Sequence, residues 1–110
     1  MKGTYLGEFE EIVLLTVAML EGKAYGISVK QEVEQRTDRK INLSVIHSTL
    51  YRLERKAFLN SDLGEATQTR GGKRKRYFSI TPYGIKSLKE ARALRDSIWN
   101  AIPTYVLQDW

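Results

Sequence analysis

The stretch Arg70-Gly71-Gly72-Lys73-Arg74-Lys75-Arg76-Tyr77-Phe78-Ser79-Ile80-Thr81 decides how this chain is read. Its first seven positions hold five basic residues and two glycines, and a strand-like run follows at once. Glycines suit a turn, while aromatic and β-branched residues suit a pleated strand. The expected object is a cationic hairpin tip on a folded support, and a polyanion is its natural partner. Taken alone, the same run also fits a solvated turn, so the flanking sequence has to discriminate.

On the N-terminal side the strand has a partner. Phe58-Leu59 opens an outgoing strand that runs through Leu63, residues 64–72 form the excursion, and Lys73 to Ile80 returns. Phe78 and Ile80 share one face of the return strand, Tyr77 and Ser79 the other. Before the hairpin, apolar spacing predicts three helices. Glu8 to Leu20 places Phe9, Ile12, Val13, Thr16, Val17 and Leu20 on one face, widened by Leu14, Leu15 and Met19, as in a helix covered on several sides. Gly22 stops it. Tyr25 to Thr37 forms the second helix, with Val29 and Val33 inward. Ile41-Asn42-Leu43 reads as a short extended piece and Ser44 as the N-cap of the third helix. That helix buries Ile46, Leu50, Leu53 and Ala57. On the C-terminal side, Thr81-Pro82 signals a last helix, with threonine as N-cap and proline at its first position. Ile85, Leu88, Ala91, Leu94, Ile98 and Ala101 are its apolar stripe, and Pro103 ends or kinks it. Residues 104–110 carry no clear pattern.

The order helix, helix, helix, hairpin, helix is the plan of a winged helix-turn-helix, a mainly α fold with one β-hairpin. Residues 1–81 form the DNA-binding domain and 82–110 an added C-terminal dimerisation helix, within one compact domain overall. Composition agrees. The 110 residues carry a formal net charge of +5 and no cysteine, so disulfides and thiolate metal sites are excluded. No apolar run reaches the roughly 18 residues of a membrane span, and no signal segment opens the chain. A cytoplasmic protein is expected.

The outer face of the third helix carries Ser44, His47, Ser48, Tyr51, Arg52 and Arg55. It is polar and basic, without the glutamates of a merely solvated helix, and it suits a major groove about 12 Å wide. Ser44, His47, Ser48, Tyr51 and Arg52 are the expected reading surface. Lys73, Arg74 and Lys75 on the wing are expected to grip the DNA backbone or the minor groove. Arg76 on the same wing either joins this grip or pairs with a carboxylate such as Glu65 or Glu54. His47 is the only histidine, and no nucleophile elbow, phosphate-cradling loop or zinc signature occurs, so no enzyme, metal or cofactor is expected. The last helix has more apolar surface than so small a body can cover. Ile85, Leu88, Leu94 and Ile98 are therefore assigned to a homodimer, whose two reading helices would meet a pseudo-palindromic operator. Trp99 is open to three readings, in this order: core, dimer contact, ligand pocket. The competing function is a winged-helix module that binds protein, with the wing charge serving solubility.

Leu6-Gly7-Glu8-Phe9-Glu10, Tyr25-Gly26, Leu53-Glu54-Arg55-Lys56 and the stretch from Arg70 to Phe78, in this order and spacing, resemble the PadR family of bacterial transcriptional regulators over residues 6–100. The resemblance implies a repressor of the small subgroup, dimerised through one C-terminal helix. It implies release from DNA by a small, often aromatic or cationic compound near the dimer interface, which would lie at Trp99 and the first helix. It also implies that Tyr25 reaches a DNA phosphate. Two positions depart from the family pattern. His47 stands where a tyrosine is usual, so specificity and pH response are expected to differ. Ala57 stands where a helix-ending glycine is usual, at a cost of about 1 kcal/mol if the chain still turns left-handed there.

Overall fold

The computed structural model describes residues 6–64 and 74–108. Five helices and one hairpin follow in the order α1 (Glu8–Met19), α2 (Gly26–Thr37), α3 (Leu43–Arg55), β1 (Leu59–Leu63), β2 (Arg76–Ile80), α4 (Pro82–Asn100) and α5 (Thr104–Leu107). This is the order expected of a winged helix-turn-helix with a C-terminal helix.

The core forms where the apolar faces of the first three helices meet the hairpin. Val13, Leu14 and Val17 of α1, Val29 and Val33 of α2, and Ile46, Leu50 and Leu53 of α3 are buried together with Phe58, Leu59 and Phe78. The strands pair antiparallel, Leu59 opposite Ile80 and Ser61 opposite Phe78. The Phe78 N–H donates to the Ala24 carbonyl at 2.8 Å, which ties β2 to the segment entering α2. Helix α1 is less enclosed than its composition suggests, for Leu15 and Met19 stay about half exposed.

The start of α3 differs from expectation. Leu43 is already helical and Asn42, extended, occupies the N-cap position, so Ser44 lies within the first turn and the extended piece ends at Asn42. The turn from α2 explains the earlier start. Asp38 ends α2 in the left-handed region (φ 58°), and Glu34 Oε2 accepts the Ile41 N–H at 2.8 Å. The chain is thus steered into α3 before Ser44 is reached.

The end of α3 corrects one core residue. Ala57 is exposed and adopts φ 69°. Its N–H donates to the Glu54 carbonyl, and the Phe58 N–H donates to the Leu53 carbonyl, each at 2.9 Å. These two bonds close a Schellman motif in which Ala57 holds the position that glycine prefers. The left-handed turn carries Ala57 off the buried stripe and drops Phe58 into the core against Leu53.

Helix α4 starts as predicted: Thr81 Oγ1 accepts the Gly84 N–H at 2.9 Å, and Pro82 occupies the first turn. Its contact with the body uses small residues. Gly84 and Ser87 are buried, and a Cβ added at Gly84 would lie 2.5 Å from the Phe58 carbonyl oxygen. Tyr83 stacks on Phe58 with ring centroids 5.0 Å apart, and Leu88 packs half-buried on the core. From residue 92 to 101 every residue is exposed. Among the described residues, no helix is long and apolar enough to cross a membrane.

Candidate nucleic-acid interface

The outer face of α3 is open. Ser44, Ser48, Tyr51 and Arg55 are exposed and His47 is half-buried. An aromatic tier joins this face to the hairpin. His47 stacks near Tyr51 (centroids 6.3 Å), and Tyr51 meets the Phe78 edge at 5.8 Å on β2. On the opposite face of β2 from buried Phe78, Tyr77 packs edge-to-face on Tyr25, with ring centroids 5.5 Å apart. Lys75 Nζ sits 4.2 Å above the Tyr25 ring, a cation–π contact at the base of the hairpin. Through Gly26, which packs on His47, and Tyr25, which packs on Tyr77 and carries Lys75, the first turn of α2 links the outer face of α3 to the base of the hairpin as one continuous surface.

Two local details hold this surface in shape. Tyr25 precedes α2, where its N–H donates to Ser28 Oγ at 2.9 Å. Gly26, at the first position of α2, leaves room for His47: an added Cβ would lie 2.6 Å from its Cε1. The Tyr-Gly pair thus supplies a ring that carries Lys75 and a bare backbone that seats the only histidine.

The predicted site residues divide into three groups. Tyr25, Ser44, His47, Ser48, Tyr51 and Lys75 lie on the continuous surface, with Arg74 exposed beside Lys75. Ser48 Oγ donates to its own helix at the Val45 carbonyl (3.1 Å). Arg52 is turned away onto α1, its Nε 2.8 Å from Glu10 Oε2. Lys73 lies outside the described residues, as do Arg70 and Glu65. Arg76 reaches Glu54 through a hydroxyl: its Nη1 donates to Ser61 Oγ at 2.9 Å, and Ser61 Oγ donates to Glu54 Oε2 at 2.7 Å. This relay fixes the hairpin to the last turns of α3.

Glu10 is the residue that the sequence reading missed. Its Oε2 receives both Arg52 and Lys56 Nζ (2.9 Å), while its Oε1 accepts the Gly7 N–H at 3.2 Å. The carboxylate is only 11% exposed. Burial pushes its pKa up, but Lys56, Arg52 and the Gly7 N–H together outweigh burial and hold the carboxyl below the ordinary glutamate value. The signal was present in two spacings: a glutamate three residues after Gly7 and a basic pair one turn apart at 52 and 56.

The assigned dimer residues also divide. Leu88 is spent on the chain's own core, Ile85 lies at the margin, and Leu94 and Ile98 stand 62% and 61% exposed. Trp99 is exposed rather than core. Among the described residues, no group of three or more His, Cys, Asp or Glu side chains is arranged to hold a metal ion.

Known proteins agree with this architecture. The model of the transcriptional regulator PadR-like family matches residues 14–90. An uncharacterized protein of Lysinibacillus sphaericus is 31% identical over 86 residues, covering 76% of this chain and 74% of that protein. A PadR-like transcriptional regulator from Bacillus cereus superposes with a TM-score of 0.70 at 18% identity, covering 91% of each chain. A PadR family transcription regulator from Clostridium difficile gives 0.69 at 22% identity, over 89% of this chain and 98% of that one. A transcriptional regulator from Clostridium thermocellum gives 0.61 at 28% identity, over 86% and 92%. The family match runs from α1 through α3 and the hairpin into α4, so the chain belongs to the PadR-like family, whose members are transcriptional regulators and not enzymes.

Proposed function

We propose that the chain is a dimeric repressor that binds double-stranded DNA in a sequence-specific way. Helix α3 enters the major groove, with Ser44, His47, Ser48 and Tyr51 toward the base edges. Lys73, Arg74 and Lys75 follow the backbone from the wing, and Tyr25 reaches a phosphate beside them. Residues 1–81 do the binding and residues 82–110 the pairing. A second copy covers the exposed part of α4 through Leu94 and Ile98, with Ile85 at its margin. The two α3 helices then read half-sites of a pseudo-palindrome about 34–36 Å apart. A small aromatic compound stacking on exposed Trp99 at that interface releases the DNA.

The observation that carries this reading is the continuous surface: an uncovered polar face of α3 whose His47 packs on Gly26, and beside it Tyr25, which packs on Tyr77 and carries Lys75 at the base of the hairpin. The test is binding to the DNA upstream of its own gene across a salt series. A complex that tightens as salt is lowered, and that prefers this DNA over random duplex, is expected. Equal binding to random duplex at every salt concentration would sink it.

A further inference from the structure

We infer that Arg55, rather than Arg52, is the guanidinium that α3 presents to DNA, and that it holds a backbone phosphate at the far end of the helix. This rests on the reading of α3 as the DNA-facing helix. Ser44, Ser48, Tyr51 and Arg55 follow one another at steps of four, three and four, so they share one helical face, and all four are exposed. Arg52 and Lys56 lie on the adjoining flank, and both are held on Glu10 Oε2. Pulling them away would strand a largely buried carboxylate, which is strongly unfavourable.

Arg55 is free of such ties. Among the described residues it makes no hydrogen bond or ion pair. Residues 51 and 52, one turn back, are tyrosine and arginine, and neighbouring Glu54 is taken by Ser61. Arg55 also lies in the last turn of α3, where a cation gains modestly from the helix dipole. Its reach decides the target. Eleven residues separate it from Ser44, about 16 Å along the axis, whereas the groove is about 12 Å wide. A helix whose first turns touch base edges therefore brings its last turn over the groove wall, where phosphates lie.

The test compares wild type, Arg55→Ala, Arg55→Lys and Arg52→Ala on the preferred duplex and on random duplex by fluorescence anisotropy over a salt series. Wild type is measured first, and failure of wild type to bind DNA defeats the parent reading before any variant is compared. Given wild-type binding, Arg55→Ala is expected to weaken both duplexes by the same factor, roughly tenfold at low salt, and to flatten the salt slope by about one. Arg55→Lys recovers most of the loss, because a phosphate accepts a point charge. Arg52→Ala lowers the melting temperature and, measured below it, keeps the wild-type slope. Wild-type affinity and slope in Arg55→Ala would overturn the inference. So would a loss of discrimination with random-duplex binding unchanged, which marks a base contact, or a loss of slope in Arg52→Ala.

Discussion

The body of this protein and the outer half of α4 treat the same kinds of side chain in opposite ways. In the body, Leu14, Ile46, Leu50, Leu53 and Phe58 are fully buried. From Leu94 onward, Leu94, Ile98, Trp99, Tyr105, Val106 and Leu107 all face solvent. The difference is one of neighbours rather than composition. Three helices and a hairpin enclose the core positions, whereas the 19-residue α4 packs by its first turns and is tied farther out to α1 by an ion pair, Arg95 Nη2 to Glu11 Oε1 at 2.7 Å, which gives Leu94 and Ile98 no apolar cover. An apolar side chain in the body stabilises the chain that carries it, and one on the outer half of α4 can do so only through a second molecule.

The largest expected effect lies in the body. Phe58→Ala removes a side chain that fills the core and stacks on Tyr83, and should cost about 3–5 kcal/mol in chemical denaturation. A loss under about 1 kcal/mol would mean that the core collapses around the gap and that the contrast with α4 is shallower than drawn. Next comes the joint between the two regions. Gly84→Ala puts a methyl 2.5 Å from the Phe58 carbonyl and should cost about 1–3 kcal/mol, because helix and strand must separate. If the variant is as stable as wild type, α4 docks less tightly than the contact implies.

Glu10 sharpens the comparison through pH. Its carboxyl, like those of Glu8 (beside Arg39) and Glu34 (bonded to the Ile41 N–H and Lys30), is held below the ordinary glutamate value of 4.5. The unfolded chain then binds more protons than the folded one in acid. The contribution of these groups is fully present above pH 4.5 and is lost as pH falls through the lowered folded values. Melting temperatures should therefore drop in acid, and Glu10→Gln should start lower and fall less. A Glu10→Gln profile parallel to wild type would remove Glu10 as a cause.

A smaller effect, of opposite sign, is expected at the end of α3. Ala57→Gly relieves a left-handed alanine and should add about 1 kcal/mol. Unchanged or reduced stability would show that unfolded-chain entropy cancels the relief. The smallest effect on the chain itself belongs to the exposed helix. Leu94→Asp with Ile98→Asp should leave the circular dichroism of the monomer intact while shifting the sedimentation coefficient from dimer to monomer. An unchanged coefficient breaks the assignment of this surface to a second copy.

Much of the fold was legible because it is written in local patterns. The stripe at Ile46, Leu50 and Leu53, the Thr81-Pro82 start and the alternation through Phe78 and Ile80 are one-dimensional signals with a single structural solution. The site was only half legible for the same reason. The open side of α3 follows from where its apolar residues lie, so Ser44, Ser48 and Tyr51 could be named in advance. The state of Arg52 could not, because Glu10 is 42 residues away in sequence and 2.8 Å away in space. The joint at Gly84 and Ser87 was also hidden, since small residues carry no periodic hydrophobic signal.

By itself the sequence determined the elements and their order, the sign of the charge at the hairpin, and the absence of thiol and histidine-cluster chemistry, since each depends on residue type and short spacing alone. Only the tertiary structure decided which of two arginines on α3 is free and where α4 leaves the body. It also showed that α3 begins at Leu43 and that Ala57 must turn left-handed. These depend on atoms brought together from distant parts of the chain, and no local pattern encodes which contact forms when several compete for one partner.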